Sequence, residues 1–315
     1  MRPVNIFYLV LLLTGLAAPW LGLYPVYLMT LYCFAIFACA FNLLLGFGGM
    51  LSFGHAAYFG FSAYATSWLV TSQGWSSLQA IAVGVVASAM LGLVIGLIAI
   101  RRSGIYFAMI TLALAQLVYF VCLQAPFTGG ENGIQGVPRG ELLGFLPLKD
   151  DIKMYYFVLA VLVAVYLFIH RVVASPFGQV LKAIRENEPR AISLGYNVER
   201  YKLLVFVLSA SLAGLAGSLK SLVLGFATLS DVLQATSGEV ILMTLLGGSG
   251  TFLGPVLGAG IVVTLQDVLS DRVGSWVTVI IGVIFVVCVL AFRKGVVGEF
   301  QAFLERRRAT GVKAP

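Results

Sequence analysis

Long apolar runs separated by short polar punctuation make up the chain. Runs at 6–23, 26–46, 51–71, 78–100, 104–124, 154–173, 201–222, 252–269 and 275–292, with a shorter one at 237–248, predict ten membrane segments. Several of these exceed the roughly 18 to 20 apolar residues that a bilayer-crossing helix needs. The first follows Arg2 and ends near Ala17 and Ala18, as a secretory signal would, but it is too long for a signal core and is read as a retained helix. The segment at 237–248 is too short to span unaided at about 1.5 Å per residue.

Two runs are interrupted in the same way. In "FNLLLGFGGMLSFGHAAYFG" Gly46, Gly48 and Gly49 fall where the second run ends, and in "MTLLGGSGTFLGPVLGAG" Gly247, Gly248 and Gly250 precede a small-residue helix containing Pro255. A tight turn between antiparallel helices accounts for such glycines, since glycine adopts positive φ without strain. A broken or re-entrant element is the functional alternative, tolerated at membrane depth only where freed backbone groups face protein or a water-filled cavity. The repetition predicts two half-broken hairpins, one in each half of the chain, that approach each other.

Composition fixes the class: 60% of the 315 residues are hydrophobic and 10% charged, too few charges to cover a soluble fold of this size. The expected fold is an all-α, polytopic transmembrane helical bundle, a single domain over 1–298 with a basic tail at 299–315. Lys and Arg in short loops stay cytoplasmic. An inside N-terminus puts fifteen of the twenty basic residues in the cytoplasm, including Arg101, Arg102, Arg171, Arg190 and Arg200, and leaves Arg139, Lys149, Lys153, Lys220 and Arg272 outside or near that edge. Both termini are then cytoplasmic. The net charge of +7 reflects topology and anionic lipid contact, and calls for no nucleic acid. Cys33, Cys39, Cys122 and Cys288 lie in apolar runs without metal-type spacing and read as small packing residues.

Two connections are long. The external one, 125–153, is rich in Gly and Pro and reads as a structured outer loop. The cytoplasmic one, 174–201, predicts a short amphipathic helical hairpin: Pro176 starts a helix, Val180, Leu181 and Ile184 recur at helical spacing, Pro189 interrupts or restarts it, and Gly195 stands where a C-terminal cap is expected. Such a hairpin either lies on anionic lipid or docks a cytoplasmic partner.

"GQVLKAIRENEPRAISLGYNVERYKLLVFVLSASLAGLAGSL" resembles the cytoplasmic loop and following helix of LivM-type permease subunits of branched-chain amino acid ABC importers, the LivH/LivM family. "LLGFGGMLSFGHAAYFGFSAY", "YFAMITLALAQLVYF", "TGGENGI", "LLGGSGTFLGPVLGA" and "FRKGVVGEF" resemble that family's other hallmark stretches, collinearly from about Ala38 to Gly298. The resemblance implies half of a heterodimeric pore in the bacterial inner membrane. Its partners would be a LivH-like permease, two cytoplasmic ABC ATPases and an external solute-binding protein. ATP and Mg would belong to the ATPases, with no cofactor in this chain. It also implies that Pro176, Phe177, Gly178, Leu181, Lys182, Ala183, Ile184, Arg185, Asn187, Ala191 and Gly195 couple to the ATPase. Ala191 and Gly195 match the family's small-residue pattern, and Arg190 stands where a first small residue is usual. The cargo implied is leucine, isoleucine or valine, although the same permease type serves urea and other amides.

The residues agree on one negative point: nothing matches G-x-x-x-x-G-K followed by Ser or Thr, so no phosphate-cradling loop is present and any ATP hydrolysis belongs to another chain. Polar residues inside spans must pair or face water, and Asn42, Ser52, His55, Tyr58, Thr111, Gln116, Glu239 and Thr244 are candidates for a translocation pathway, with Asp267 beside them. A neutral, hydrogen-bonded packing histidine is the structural account of His55. Glu239, three residues after Thr236, fits a capping box at a helix start as well as a solute contact. Small residues at Gly84, Ser88, Gly92 and Gly96, and at Gly254 and Gly258, predict close helix packing within the subunit or against a partner. No nucleophile and base stand together, which argues against a membrane enzyme. A secondary transporter working alone would need a paired intramembrane charge as a coupling site, and none is apparent in the sequence.

Overall fold

A computed structural model of the protein describes residues 24–142, 146–148 and 150–274, with positions 15, 16, 18–22, 279, 280, 282, 283, 286 and 295. Most of the expected first span, most of the last one over 275–292, Cys288 and the tail lie outside the described residues. Among those described are ten α-helices: α1 Pro25–Asn42, α2 His55–Gln73, α3 Ser77–Ala99, α4 Ile105–Gln124, α5 Asp151–Ala174, α6 Pro176–Glu186, α7 Glu188–Ser193, α8 Val198–Leu224, α9 Gln234–Gly247 and α10 Gly254–Val273. A π-helical turn, Leu43–Phe47, extends α1. With that extension, α1, α3, α4, α5 and α8 are the five described helices long and apolar enough to cross a membrane, so the protein is a multi-pass helical bundle.

Apolar residues on every side of α1 predict a helix buried all round. Met29, Cys33, Phe37 and Phe41 are fully buried, and α1 is surrounded by α8, α10, α5 and α9. In contrast, α3 leaves Val83, Val86, Met90, Val94 and Leu97 exposed on one side, the face a bilayer would cover. Its other side carries the small-residue stripe, which packs inside the subunit. A Cβ added at Gly84 would stand 2.6 Å from Ser218 Oγ of α8, and one at Gly92 would stand 2.5 Å from Ala210 Cβ. Hydroxyls bond across the seam: Ser62 with Ser218 at 2.6 Å, Thr66 with Ser218 at 2.8 Å, and Ser88 with the Ala210 carbonyl at 2.7 Å. Interhelical hydrogen bonds and close backbone approach substitute for the hydrophobic drive that lipid removes.

Helix directions alternate so that the turns at 47–54, 100–104, 175–197 and 248–253 gather at one end, with Arg101, Arg102, Lys182, Arg185, Arg190 and Arg200. We call this the basic end. The 125–153 loop, expected outside and called here the outer loop, occupies the other, and its described residues include short strands. Its β1 Ile134–Gln135 pairs antiparallel with β4 Phe226–Ala227, and β2 Glu141–Leu142 pairs with β3 Leu146–Pro147. Arg139 ion-pairs with Asp151 and donates to the Val223 carbonyl at 3.0 Å.

Three expectations need correction. The run expected at 51–71 becomes helical only at His55, because seven residues, 48–54, form a non-helical break rather than a tight turn. The capping box expected at Thr236 and Glu239 does not form. Helix α9 starts at Gln234, Thr236 donates to the Ser230 carbonyl at 2.7 Å, and the reciprocal arrangement is made by Thr228 and Asp231. Lys220, assigned to the outer edge, is buried within α8 and ion-paired with Asp231. The sequence therefore conceals a paired charge inside the bundle.

Candidate functional site

The two glycine breaks meet. Asn42, in the last turn of α1, donates from Nδ2 to the Thr251 carbonyl at 2.8 Å and accepts at Oδ1 from Gly250 N at 2.9 Å. A Cβ on Gly46 would fall 2.5 Å from Gly250 N, so only glycine allows the contact. Phe47 and Phe252 meet beside it as tilted rings with centroids 5.3 Å apart, and His170 lies against Phe252 at 4.9 Å. Gly295, from the "FRKGVVGEF" stretch, packs on the same corner, where a Cβ would fall 2.5 Å from Gly248 N. Pro255 lies in the first turn of α10, where its missing N–H costs nothing.

The 174–201 hairpin packs on these breaks. Ser175 caps α6 by accepting from Gly178 N at 3.4 Å, Asn187 caps α7 by accepting from Arg190 N at 3.1 Å, and Asn197 caps α8 by accepting from Arg200 N at 3.2 Å. Pro189 therefore restarts the chain as a second helix. Gly195, at φ 85°, closes α7 with Tyr196 N bonding back to the Ala191 carbonyl at 3.2 Å, a Schellman-type ending. Ile184, Ala191 and Val198 form a small core, Phe177 stacks on Tyr201 at 5.5 Å, and Lys202 ion-pairs with Glu188 at 2.7 Å. The hairpin is thus one body fused to α5 and α8.

Its amphipathic face points inward. Gly178, Leu181, Ile184 and Ala191 are buried, and Phe177 is half-buried; Pro176, Ala183, Arg185, Asn187 and Gly195 are exposed and Lys182 is intermediate. Ile192 is 58%, Leu194 67% and Tyr196 41% exposed at the hairpin tip. These three form an uncovered apolar patch that the sequence reading missed. The available signal was that Ile192 falls off the face set by Ala191, and that Leu194 and Tyr196 flank Gly195 where the helix ends.

A cavity of about 620 Å³ opens between the 48–54 break, the α3–α4 turn and the hairpin, lined by Met50, Phe53, Arg102, Phe107, Arg185 and Lys202 among others. None of the eight pathway candidates lines it. Asn42 joins the breaks, Ser52 accepts from Gly54 N at 3.3 Å, and Thr111 donates to the Ala108 carbonyl at 2.9 Å. Thr244 donates to the Val240 carbonyl at 2.8 Å. Ser209 donates to the Ala40 carbonyl at 2.5 Å, so its oxygen receives the His55 Nε2 proton at 2.8 Å. His55 Nδ1, enclosed by Phe37, Phe41 and Tyr58, has no hydrogen-bond partner among the described residues. Gln116 is exposed on α4, as is Asp267 on α10, and Glu239 is half-buried beside Gln266.

A family description, branched-chain amino acid transport system / permease component, matches residues 25–289. The chain belongs to this family. Among its relatives, the high-affinity branched-chain amino acid transport system permease protein LivM of Salmonella typhimurium is 27% identical over 293 residues, covering 85% of this chain and 69% of the relative. The LivM protein of Escherichia coli matches to the same extent. The ribose import permease protein RbsC of Bacillus subtilis is 31% identical over 184 residues, 54% of this chain and 52% of that one. No solved structure matches. These relatives are transport permeases rather than enzymes. In this permease the two glycine-rich stretches are the breaks, and the long basic loop is the hairpin packed on them.

Proposed function

We propose that this permease is one of two pore subunits of an ATP-driven importer in the bacterial inner membrane, carrying branched-chain or similar neutral amino acids delivered by an external solute-binding protein. A LivH-like chain supplies the other half of the pore. Two ABC ATPases bind the hairpin from the cytoplasm and hold the ATP and Mg, and this chain carries no cofactor of its own. The cargo class rests on the relatives named for branched-chain amino acid transport.

The observation that carries the reading is the hairpin: a capped body at the basic end, continuous with α5 and α8, that turns Ile192, Leu194 and Tyr196 outward, uncovered among the described residues. Exposed apolar residues grouped on a mobile-sized body mark a protein contact. ATP-driven closure of the ATPase pair moves this body as a lever and, through α5 and α8, opens the pore outward.

The test is a pull-down of the tagged chain from mild detergent with mass identification of what accompanies it. The wild type is expected to bring a second permease and an ATPase chain bearing a phosphate-binding loop. Ile192→Asp with Leu194→Asp, both exposed, is expected to keep the second permease and lose the ATPase. Recovery of the chain alone, with uptake driven by an ion gradient in liposomes, would overturn the proposal.

A further inference from the structure

The π turn that ends α1 leaves carbonyls that its own helix does not satisfy, that of Gly46 among them. Gly48 N, Gly49 N and Met50 N turn back to the carbonyls of Leu43, Leu45 and Leu44, after which the chain departs. The Gly46 carbonyl is left over, and Arg185 of α6 donates to it from Nη1. A cation at a helix C-terminus meets the negative end of the dipole, and a guanidinium bond to a carbonyl is stronger than a neutral one. The Arg185 stem crosses the first break so closely that a Cβ on Gly49 would lie 2.8 Å from its Cγ. At the second break a Cβ on Gly250 would lie 3.3 Å from Nη1. Asn42, one turn before Gly46, ties that second break to the first.

From this geometry we infer that Arg185 is a positioning residue that passes displacement of the hairpin directly into both helix breaks. The route is separate from the lever through α5 and α8, and it rests on the reading of the hairpin as the ATPase-driven element. One side chain reaches one break by a charge-assisted bond and lies against the other, and glycines at 49 and 250 keep its path clear. The breaks are where α1 and α9 stop short, so a pull on the Gly46 carbonyl alters the cavity wall at Met50 and Phe53 without moving whole helices. Lysine keeps the charge but lacks the planar guanidinium that lies between the Gly46 carbonyl and Gly250.

The test uses the complete importer in proteoliposomes and reads solute imported per ATP hydrolysed, with Arg185→Met and Arg185→Lys. The ratio is expected to fall about tenfold in Arg185→Met, the loss of one charge-assisted bond expressed as a factor, with Arg185→Lys between it and the wild type. A residue that only stabilises the fold would lower import and hydrolysis together and leave the ratio unchanged, which would overturn the inference. Spin labels on the exposed Ala183 and Ser249 give a second readout. Their separation is expected to stay constant between nucleotide-free and ATP-bound states in the wild type and to change in Arg185→Met; equal behaviour of the two would also overturn it. A wild-type complex that imports without ATP would instead bring down the underlying importer reading.

Discussion

The half of the bundle towards the outer loop and the half at the basic end are built from similar residues and solve opposite problems. In the outer half α2, α3 and α8 interlock through glycines and hydroxyls, and a Cβ on Gly217 would stand 2.7 Å from the Phe59 carbonyl carbon. There Lys220, with Asp231 as its ion-pair partner, lies 5.9 Å from the centre of the Phe59 ring and 5.8 Å from that of Phe226, locking the 226–233 segment onto α8. At the basic end glycine serves to interrupt helices: the two breaks are tied by single side chains, Asn42 and Arg185, and a cavity opens beside the first of them. Small residues thus make one half rigid and the other jointed. What differs is whether they sit inside continuous helices or at helix ends.

Breaking the buried pair gives the largest effect. Lys220→Met strands Asp231 and is expected to cost about 4 kcal/mol, whereas Lys220→Met with Asp231→Leu recovers most of it, because an uncompensated buried charge is worse than none. Thermal unfolding in detergent checks both. Gly217→Val drives a branched side chain into the Phe59 backbone and is expected to cost about 3 kcal/mol by overpacking, seen as a lowered Tm and loss of monodisperse protein. Asn42→Leu removes both bonds between the breaks and is expected to cost about 2 kcal/mol. If the basic end is the jointed half, its uptake falls out of proportion to this modest loss, in contrast to an outer-half variant of equal Tm. Ser209→Ala, which removes the acceptor of the His55 proton in a packed interior, is expected to cost about 1 kcal/mol and leave uptake near normal.

Much of this architecture was legible in the chain, for reasons that differ by region. The spans expected at 26–46, 78–100, 104–124, 154–173 and 201–222 lie within a few residues of α1 with its π turn, α3, α4, α5 and α8, since length and apolarity alone define such helices. The hairpin's start, restart and ending were readable from Pro176, Pro189 and Gly195, whereas the caps made by Ser175, Asn187 and Asn197 were not read. The repeated glycine device foretold that the breaks would meet, because both stretches combine an apolar run, clustered glycines and a small-residue helix. The Lys220–Asp231 pair was not legible: it depends on Gly225, at φ 76°, folding the chain back over eleven positions. The outward patch of Ile192, Leu194 and Tyr196 was missed because amphipathic spacing identifies an apolar face without saying whether bundle or partner covers it. The pathway candidates were chosen for polarity, and inside a bundle polarity is as easily spent on helix-to-helix bonds, as Asn42, His55 and Thr244 show.

The central claim is that this permease works only as the driven half of an ATP-powered assembly. Its most direct test is uptake of labelled leucine into proteoliposomes containing the purified complex, with ATP supplied on the hairpin side and the solute-binding protein on the other. The account predicts accumulation that requires both and that vanishes with Ile192→Asp and Leu194→Asp. Accumulation without ATP, driven by a proton or sodium gradient across liposomes containing this chain alone, would contradict it.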